Sequence, residues 1–267
     1  MITCSLQNIM PGAARIHPRP FLWQTAVLSG AIAGLVFAGL PSLKAATAAT
    51  PKPAAADSVF NGRDFSGWRQ PVGDWRVARE VTLDPNDAAK FAIQSGAGVM
   101  VNGAKGRTVD LLTEGEYGDV EAHIEFVVPK GSNSGIYLQG RYEIQVYDSW
   151  GVQTPKYVDC GGIYERWKDN QGYEGHGPRV NASRPPGEWQ SFDIVFRAPR
   201  FDAAGKKTEN ARFIKVAHNG QIIHENVEVT GPTRASRFED EKPRGPLMLQ
   251  GDHGPVAYRH LSVRPLE

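Results

Sequence analysis

The stretch Asp119–Val128, DVEAHIEFVV, limits what this chain can fold into. Val120, Ala122, Ile124, Phe126 and Val128 alternate with Glu121, His123 and Glu125. Period two sends these sets to opposite faces of a β-strand, whereas a helix would scatter them around its axis. SFDIVFR repeats the pattern through Phe192, Ile194 and Phe196. FIKVAHNGQIIHENVEV reads as a hairpin, because Asn219-Gly220 supplies the positive φ angles of a two-residue turn. Short alternating runs broken by Gly, Pro, Asn and Asp continue along the chain, as all-β proteins require. The best helix signal is DPNDAAKFA, with Asp84 as N-cap and Pro85 at the first helical position, enough for a turn or two. With no internal repeat, the pattern predicts an all-β fold, a single two-sheet antiparallel β-sandwich.

At 267 residues and 40% hydrophobic content, the chain is long enough to bury a core of its own. Residues 1–48 read as an export signal. Arg15 and Arg19 precede TAVLSGAIAGLVFAGL, and the small residues of KAATAAT offer cleavage after Ala46 or Ala48. An uncleaved anchor is the competing reading, although the apolar run falls short of the roughly 20 residues of a spanning helix. Residues 49–57, including PKPAAAD, form a linker and leave 58–267 as the folded domain, periplasmic or secreted, with no stable membrane span after cleavage. Cleavage removes Arg15, Arg19 and Lys44 from 30 basic residues and none of 29 acidic ones, so the mature charge is 27 minus 29, or −2. That balance argues against nucleic acid as a partner. It also leaves Cys160 alone, so the domain must hold without an internal disulfide, and Cys160 reads as small buried filler.

Several chemistries are excluded by spacing. GSNSG at Gly131 resembles a nucleophile elbow, but its central residue is Asn133. There is no C-x-x-C or H-E-x-x-H, so a protein zinc site is unsupported. Gly96 and Gly98 lack dinucleotide or P-loop spacing and read as strand ends and a turn. The long break from Trp150 to Gly187 carries Tyr157, Tyr164, Trp167 and Tyr173. Aromatic faces on a long loop suit pyranose rings, and the alternative is that they pack the loop down as a satellite cluster. GRYEIQVYDSWG, Gly140 to Gly151, is the other notable phrase: Glu143, Gln145 and Tyr147 share one strand face, opposite Ile144, Val146 and Asp148. A conventional glycosidase needs two carboxyl groups roughly 5 to 9.5 Å apart, and this strand offers one on its presumed active face.

FNGRDFSGW, SNSGIYLQGRYEIQVYD, GGIYERW, PPGEWQSFDIVF and GPLMLQGDHGPVAYRHLSV together resemble the 3-keto-disaccharide hydrolase family across almost the whole mature chain. The resemblance implies a concanavalin A-like, glucanase-type jelly roll acting on glycosides already oxidised to a ketone at C3. Gln190 stands where Asn is expected after GEW, and His260 where Asn commonly follows the Arg.

On such a substrate one carboxylate suffices. The ketone acidifies the C2 proton, a single base removes it, and the enolate expels the C1 substituent by β-elimination. Water adding back makes the net reaction hydrolysis. Glu143 is assigned as the base, Arg259 as the cation for the enolate or ketone oxygen, and His253 in the turn GDHG as donor to the leaving oxygen. Gln139, Gln145, Tyr147, Tyr164, Trp167 and Gln250 are the expected substrate contacts. Asp148 is expected to anchor the long loop. No cofactor is demanded; a divalent ion assisting the ketone would take Asp148 or Asp252 as oxygen ligands. The substrate implies a separate oxidoreductase upstream. Two alternatives stay open: a non-catalytic carbohydrate-binding module, and an ordinary glucanase with its second carboxylate on a loop.

Overall fold

The computed structural model describes residues 57–266, and the expected export signal lies outside them, as does nearly all of the expected linker. The strands run in chain order as β1 (Asp57–Ser58), β2 (Arg76–Asp84), β3 (Asp87–Val101), β4 (Leu111–Tyr117) and β5 (Val120–Val127). Then come β6 (Asn133–Leu138), β7 (Tyr142–Tyr147), β8 (Arg166–Lys168), β9 (Gln171–Tyr173) and β10 (Gln190–Arg197). The series ends with β11 (Arg200–Phe201), β12 (Lys207–Glu209), β13 (Ala211–His218), β14 (Gln221–Val229), β15 (Gly245–Leu249) and β16 (Ala257–Pro265).

Two antiparallel sheets form the expected sandwich. The larger is ordered β14-β13-β10-β5-β16-β3-β2 with β1 beside β16, and the smaller β4-β15-β6-β7. The alternating residues Val120, Ala122, Ile124 and Phe126 and their partners Phe192, Ile194 and Phe196 turn inward. Ile136, Tyr142, Ile144, Val146 and Leu249 meet them from the smaller sheet. Tyr142 and Phe196 bridge the sheets with ring centroids 5.3 Å apart. Each such fully buried side chain contributes about 1.5–3 kcal/mol of hydrophobic stabilisation. Cys160 is buried in this core as a free thiol, which burial pushes up to about 12.

Asn219 (φ 51°) and Gly220 (φ 79°) make the anticipated tight turn between β13 and β14. The expected helix at Asp84 does not form: Asp84 ends β2 and Asp87 begins β3. The Asp84 side chain does bond forward, but to the N–H of Asn86 at 2.8 Å, which closes a turn rather than capping a helix. Gly96 and Gly98 also lie inside β3, at a bulge opposite Ala78, rather than at strand ends.

Both departures from the family phrases have local explanations. Gln190 Oε1 accepts the Arg184 N–H at 2.9 Å and lies 2.9 Å from the buried His218 ring. His260 sits at φ 49° in a bulge of β16, a conformation in which Asn is the usual non-glycine residue.

Candidate active site

The functional face is the side of the smaller sheet turned away from the core. Ile144 and Val146 point into the core, so Glu143 and Gln145 must point outward, and in register Tyr137 pairs with Glu143 and Gly135 with Gln145. The Gln250 N–H donates to Gly135 O at 2.9 Å, which brings Gln250 into the same row.

Two loops wall this face. Gly161–Tyr164 runs along the edge of β7, with Gly161 N–H donating to Gln145 O at 2.8 Å and Tyr164 N–H to Glu143 O at 3.2 Å. This pairing carries Tyr164 over the sheet. The Thr233 N–H donates to Arg141 O at 2.9 Å and the Arg234 N–H to Glu165 O at 2.8 Å, so Arg234 arrives beside it.

The result is a cavity of about 360 Å³ lined by Asn133, Tyr137, Glu143, Gln145, Tyr164, Arg234, Gln250 and His253. That volume falls in the range of small-molecule sites. Asn133 Oδ1, Tyr137 Oη and Gln145 Oε1 are buried there without a hydrogen-bond partner among the described residues. Partnerless buried polar atoms are costly, and three around one cavity mark it for a ligand rich in hydroxyl groups. A larger depression of about 520 Å³ on the outer face of the other sheet has no such atoms. There His123 is paired with Asp193 at 2.7 Å.

Glu143 is 3% exposed and forms no ion pair among the described residues. Arg141 pairs instead with Asp240 at 2.8 Å, and Arg259 with Glu125 at 2.6 Å. Burial therefore pushes the Glu143 carboxyl up to about 8, opposed by the nearby Tyr137 hydroxyl and helped by the negative charge of Asp110. Tyr137 Oη lies close enough to temper this carboxyl without completing a full hydrogen bond to it.

Five of the expected site residues converge: Glu143, Gln145, Tyr164, Gln250 and His253. His253 Nδ1 is hydrogen-bonded to Asp252, which orients the ring. Trp167 stands just behind the cavity, 43% exposed, with the Arg234 guanidinium 3.8 Å from its ring centroid. It is a platform for the cation and not a lining residue.

Three further expectations are corrected. Arg259 belongs to β16 of the larger sheet, where Glu125 and the Trp189 ring (4.1 Å) hold it, so it does not reach the cavity. Gln139 (φ 56°) and Gly140 (φ 64°) form the turn between β6 and β7, and the Gln139 amide donates to Tyr117 O and Pro243 O at 3.1 Å each. The turn removes it from the face it would occupy on a longer strand. Tyr147 ends β7, beyond the cavity, and packs against the core cluster.

Arg234 occupies the place expected of Arg259. Its side chain is held by the Trp167 ring and, at 3.5 Å, by Glu165 Oε1. Nothing in its local sequence, GPTRASR, marks it. Asn133 was legible only as the centre of GSNSG. Asp148 anchors the loop as expected, accepting the Gly131 N–H at 2.9 Å and the Trp150 N–H at 3.4 Å. Asp252 faces a neighbouring groove, and no group of three or more His, Cys, Asp or Glu side chains among the described residues is placed to share a metal ion.

Residues 55–264 match the 3-keto-alpha-glucoside-1,2-lyase-like domain. The chain belongs to this family. Membership makes it a carbohydrate-active enzyme that breaks glycosidic bonds. Among solved structures, it is similar to a proposed glycosyl hydrolase from Parabacteroides distasonis, at 29% identity and a TM-score of 0.58, covering 79% of this chain and 84% of that one. A second such protein from the same organism is 19% identical over 80% of this chain and 100% of its own, with a TM-score of 0.49. An endo-beta-1,4-glucuronan lyase from Trichoderma reesei is 11% identical over 79% and 96%, with a TM-score of 0.37. No curated protein matches the chain.

Proposed function

We propose that this member of the 3-keto-alpha-glucoside-1,2-lyase-like family cleaves 3-keto-glycosides by removing the C2 proton and eliminating the C1 substituent, with hydration completing a net hydrolysis. The observation that carries this reading is the cavity's chemistry. It holds one carboxyl, Glu143, raised to about 8, and one fixed cation, Arg234, with no second carboxyl among its lining residues. A base with a pKa near the working pH suits abstraction of an acidified carbon-bound proton. Two-carboxylate displacement lacks its second group there.

Glu143 takes the C2 proton. Arg234 stabilises the negative charge that develops on the C3 oxygen, its guanidinium held in place by Trp167 and Glu165. His253 donates to the departing oxygen. Asn133, Tyr137, Gln145 and Gln250 bind the sugar hydroxyls, and the Tyr164 ring covers the sugar. The substrate requires an oxidoreductase upstream to make the ketone. The N-terminal pattern of basic, apolar and small residues supports export to the periplasm or beyond.

The test offers a glucoside and its 3-keto form, deuterated at C2, to the purified protein. Turnover of the oxidised form alone, with deuterium lost to solvent, is expected. Retention of C2 deuterium through turnover would reject elimination.

A further inference from the structure

His253, the donor to the departing oxygen, is carried by the turn Gly251–Gly254 between β15 and β16. The ring cannot fix its own position. It and its Asp252 partner are 47% and 57% exposed, and a contact between two such side chains holds little. Where the imidazole stands is therefore decided by the backbone of the turn.

One buried side chain gathers that backbone. Asn102 follows directly after β3 and is 0% exposed. Its amide nitrogen donates to Gly251 O at 3.1 Å and to Gly254 O at 2.7 Å, and its Oδ1 accepts the Val256 N–H at 2.9 Å. Both amide hydrogens and the carbonyl are thus engaged by one turn, tying its first residue to its last and both to the approach to β16. The Asn102 N–H donates in addition to Val256 O at 3.2 Å, which continues the pairing of Val101 with Ala257.

Other contacts hold single points of the turn. The Thr108 N–H donates to Gly251 O at 2.9 Å, Asp110 Oδ1 accepts the Gly251 N–H at 3.0 Å, and Arg107 reaches Asp252 O at 3.1 Å. Among the described residues, Asn102 is the side chain that joins both ends. The joined turn is then pressed against the cavity. Ser132 Oγ donates to Pro255 O at 2.6 Å, and a Cβ built on Gly254 would stand 2.4 Å from that hydroxyl oxygen and 2.9 Å from the backbone nitrogen of Asn133, a lining residue.

We propose that Asn102 is the positioning residue for His253, fixing the turn so that the imidazole is aimed at the departing oxygen. This rests on the reading of His253 as proton donor. With Nδ1 engaged by Asp252, Nε2 is the nitrogen that gives its proton as the bond from C1 to the departing oxygen breaks, leaving the imidazole neutral. A misplacement of about 1 Å can cost such a group up to about 100-fold in rate.

The test reads the leaving group. Methoxide must be protonated as it departs, whereas 4-nitrophenoxide leaves as the anion, so only the first needs the donor. The kcat/KM values for methyl and 4-nitrophenyl 3-keto-glucosides are compared in the full chain and in His253→Ala, Asn102→Ala and Ser132→Ala. The methyl-to-4-nitrophenyl ratio is expected to fall at least about tenfold in His253→Ala and Asn102→Ala, chiefly through kcat for the methyl glycoside, and about threefold in Ser132→Ala. Combining Asn102→Ala with His253→Ala should lower the ratio no further than His253→Ala does, because nothing is left to position. A merely structural loss would instead lower turnover of both substrates together and leave the ratio at the wild-type value. That value in Asn102→Ala, or in Ser132→Ala should Asn102→Ala fail to fold, would overturn the positioning role alone if His253→Ala lowers the ratio. A wild-type ratio in His253→Ala would overturn the reading of His253 as donor and the positioning role with it.

Discussion

The carboxyl of Glu143 lies across the backbone of Gly135 on the neighbouring strand: a Cβ built on Gly135 would stand 2.3 Å from Glu143 Oε1 and 2.8 Å from Tyr137 Cε2. No carbon atom tolerates an oxygen at that distance, so the absence of a side chain at Gly135 is what lets Glu143 lie in the cavity. Gly135→Ala is expected to expel the carboxyl and lower kcat at least tenfold. The domain should stay folded, because the backbone there is ordinary extended strand. Circular dichroism alongside the assay checks both halves. Wild-type kcat in a folded variant would show that Glu143 need not lie where it does.

Glu143→Gln removes the proposed base and nearly nothing else. The variant should bind the keto-glycoside and lose roughly 10²-fold or more in kcat. The wild-type rate should rise with pH and level off above about 8, the pH to which burial raises this carboxyl. A rate that instead falls through that pH would make Glu143 an acid.

The same carboxyl shapes stability. Its folded pKa is raised, so the folded state holds a proton that the unfolded state has released, and stability falls as pH rises from about 4.5 through 8. His218 and His224 behave oppositely. Burial lowers them to about 3 and about 4, so the stability they confer is complete above about 6.5 and is lost as pH falls toward those values. Two histidines outweigh one carboxyl below about 6.5, and the carboxyl acts alone above it. The melting temperature should therefore peak near pH 6.5, and Glu143→Gln should flatten the decline on the alkaline side. A wild-type profile level between pH 6.5 and 8 would show that the Glu143 carboxyl is not raised.

Arg234 and Trp167 should act in order. Arg234→Ala removes the cation and is expected to lower kcat/KM about 100-fold. Trp167→Ala removes its platform, leaves Glu165 to hold the guanidinium, and is expected to cost nearer tenfold. Equal losses would show that the indole itself contacts substrate. Arg259→Ala, on the other sheet, should leave kcat within about twofold.

What the sequence determined by itself was everything carried by local periodicity. Alternation placed Val120 to Phe126 and Phe192 to Phe196 in the core, Asn219-Gly220 named its turn, and the face shared by Glu143 and Gln145 followed from period two alone. The family phrases pointed to Gln250 and His253, and the structure places both beside Glu143. Tertiary structure decided the rest, because alternation records which face a residue takes but not which sheet its strand joins. Arg259 reads the same on either sheet, and pairing with β5 sends it to Glu125. Gln139 continues the pattern of Tyr137 until two positive φ angles turn it away. Arg234 and Asp110 reach the sheet only because a loop hydrogen-bonds to Glu165 O and a strand pairs with β15, contacts made over about 70 and 140 residues of sequence that no local spacing records.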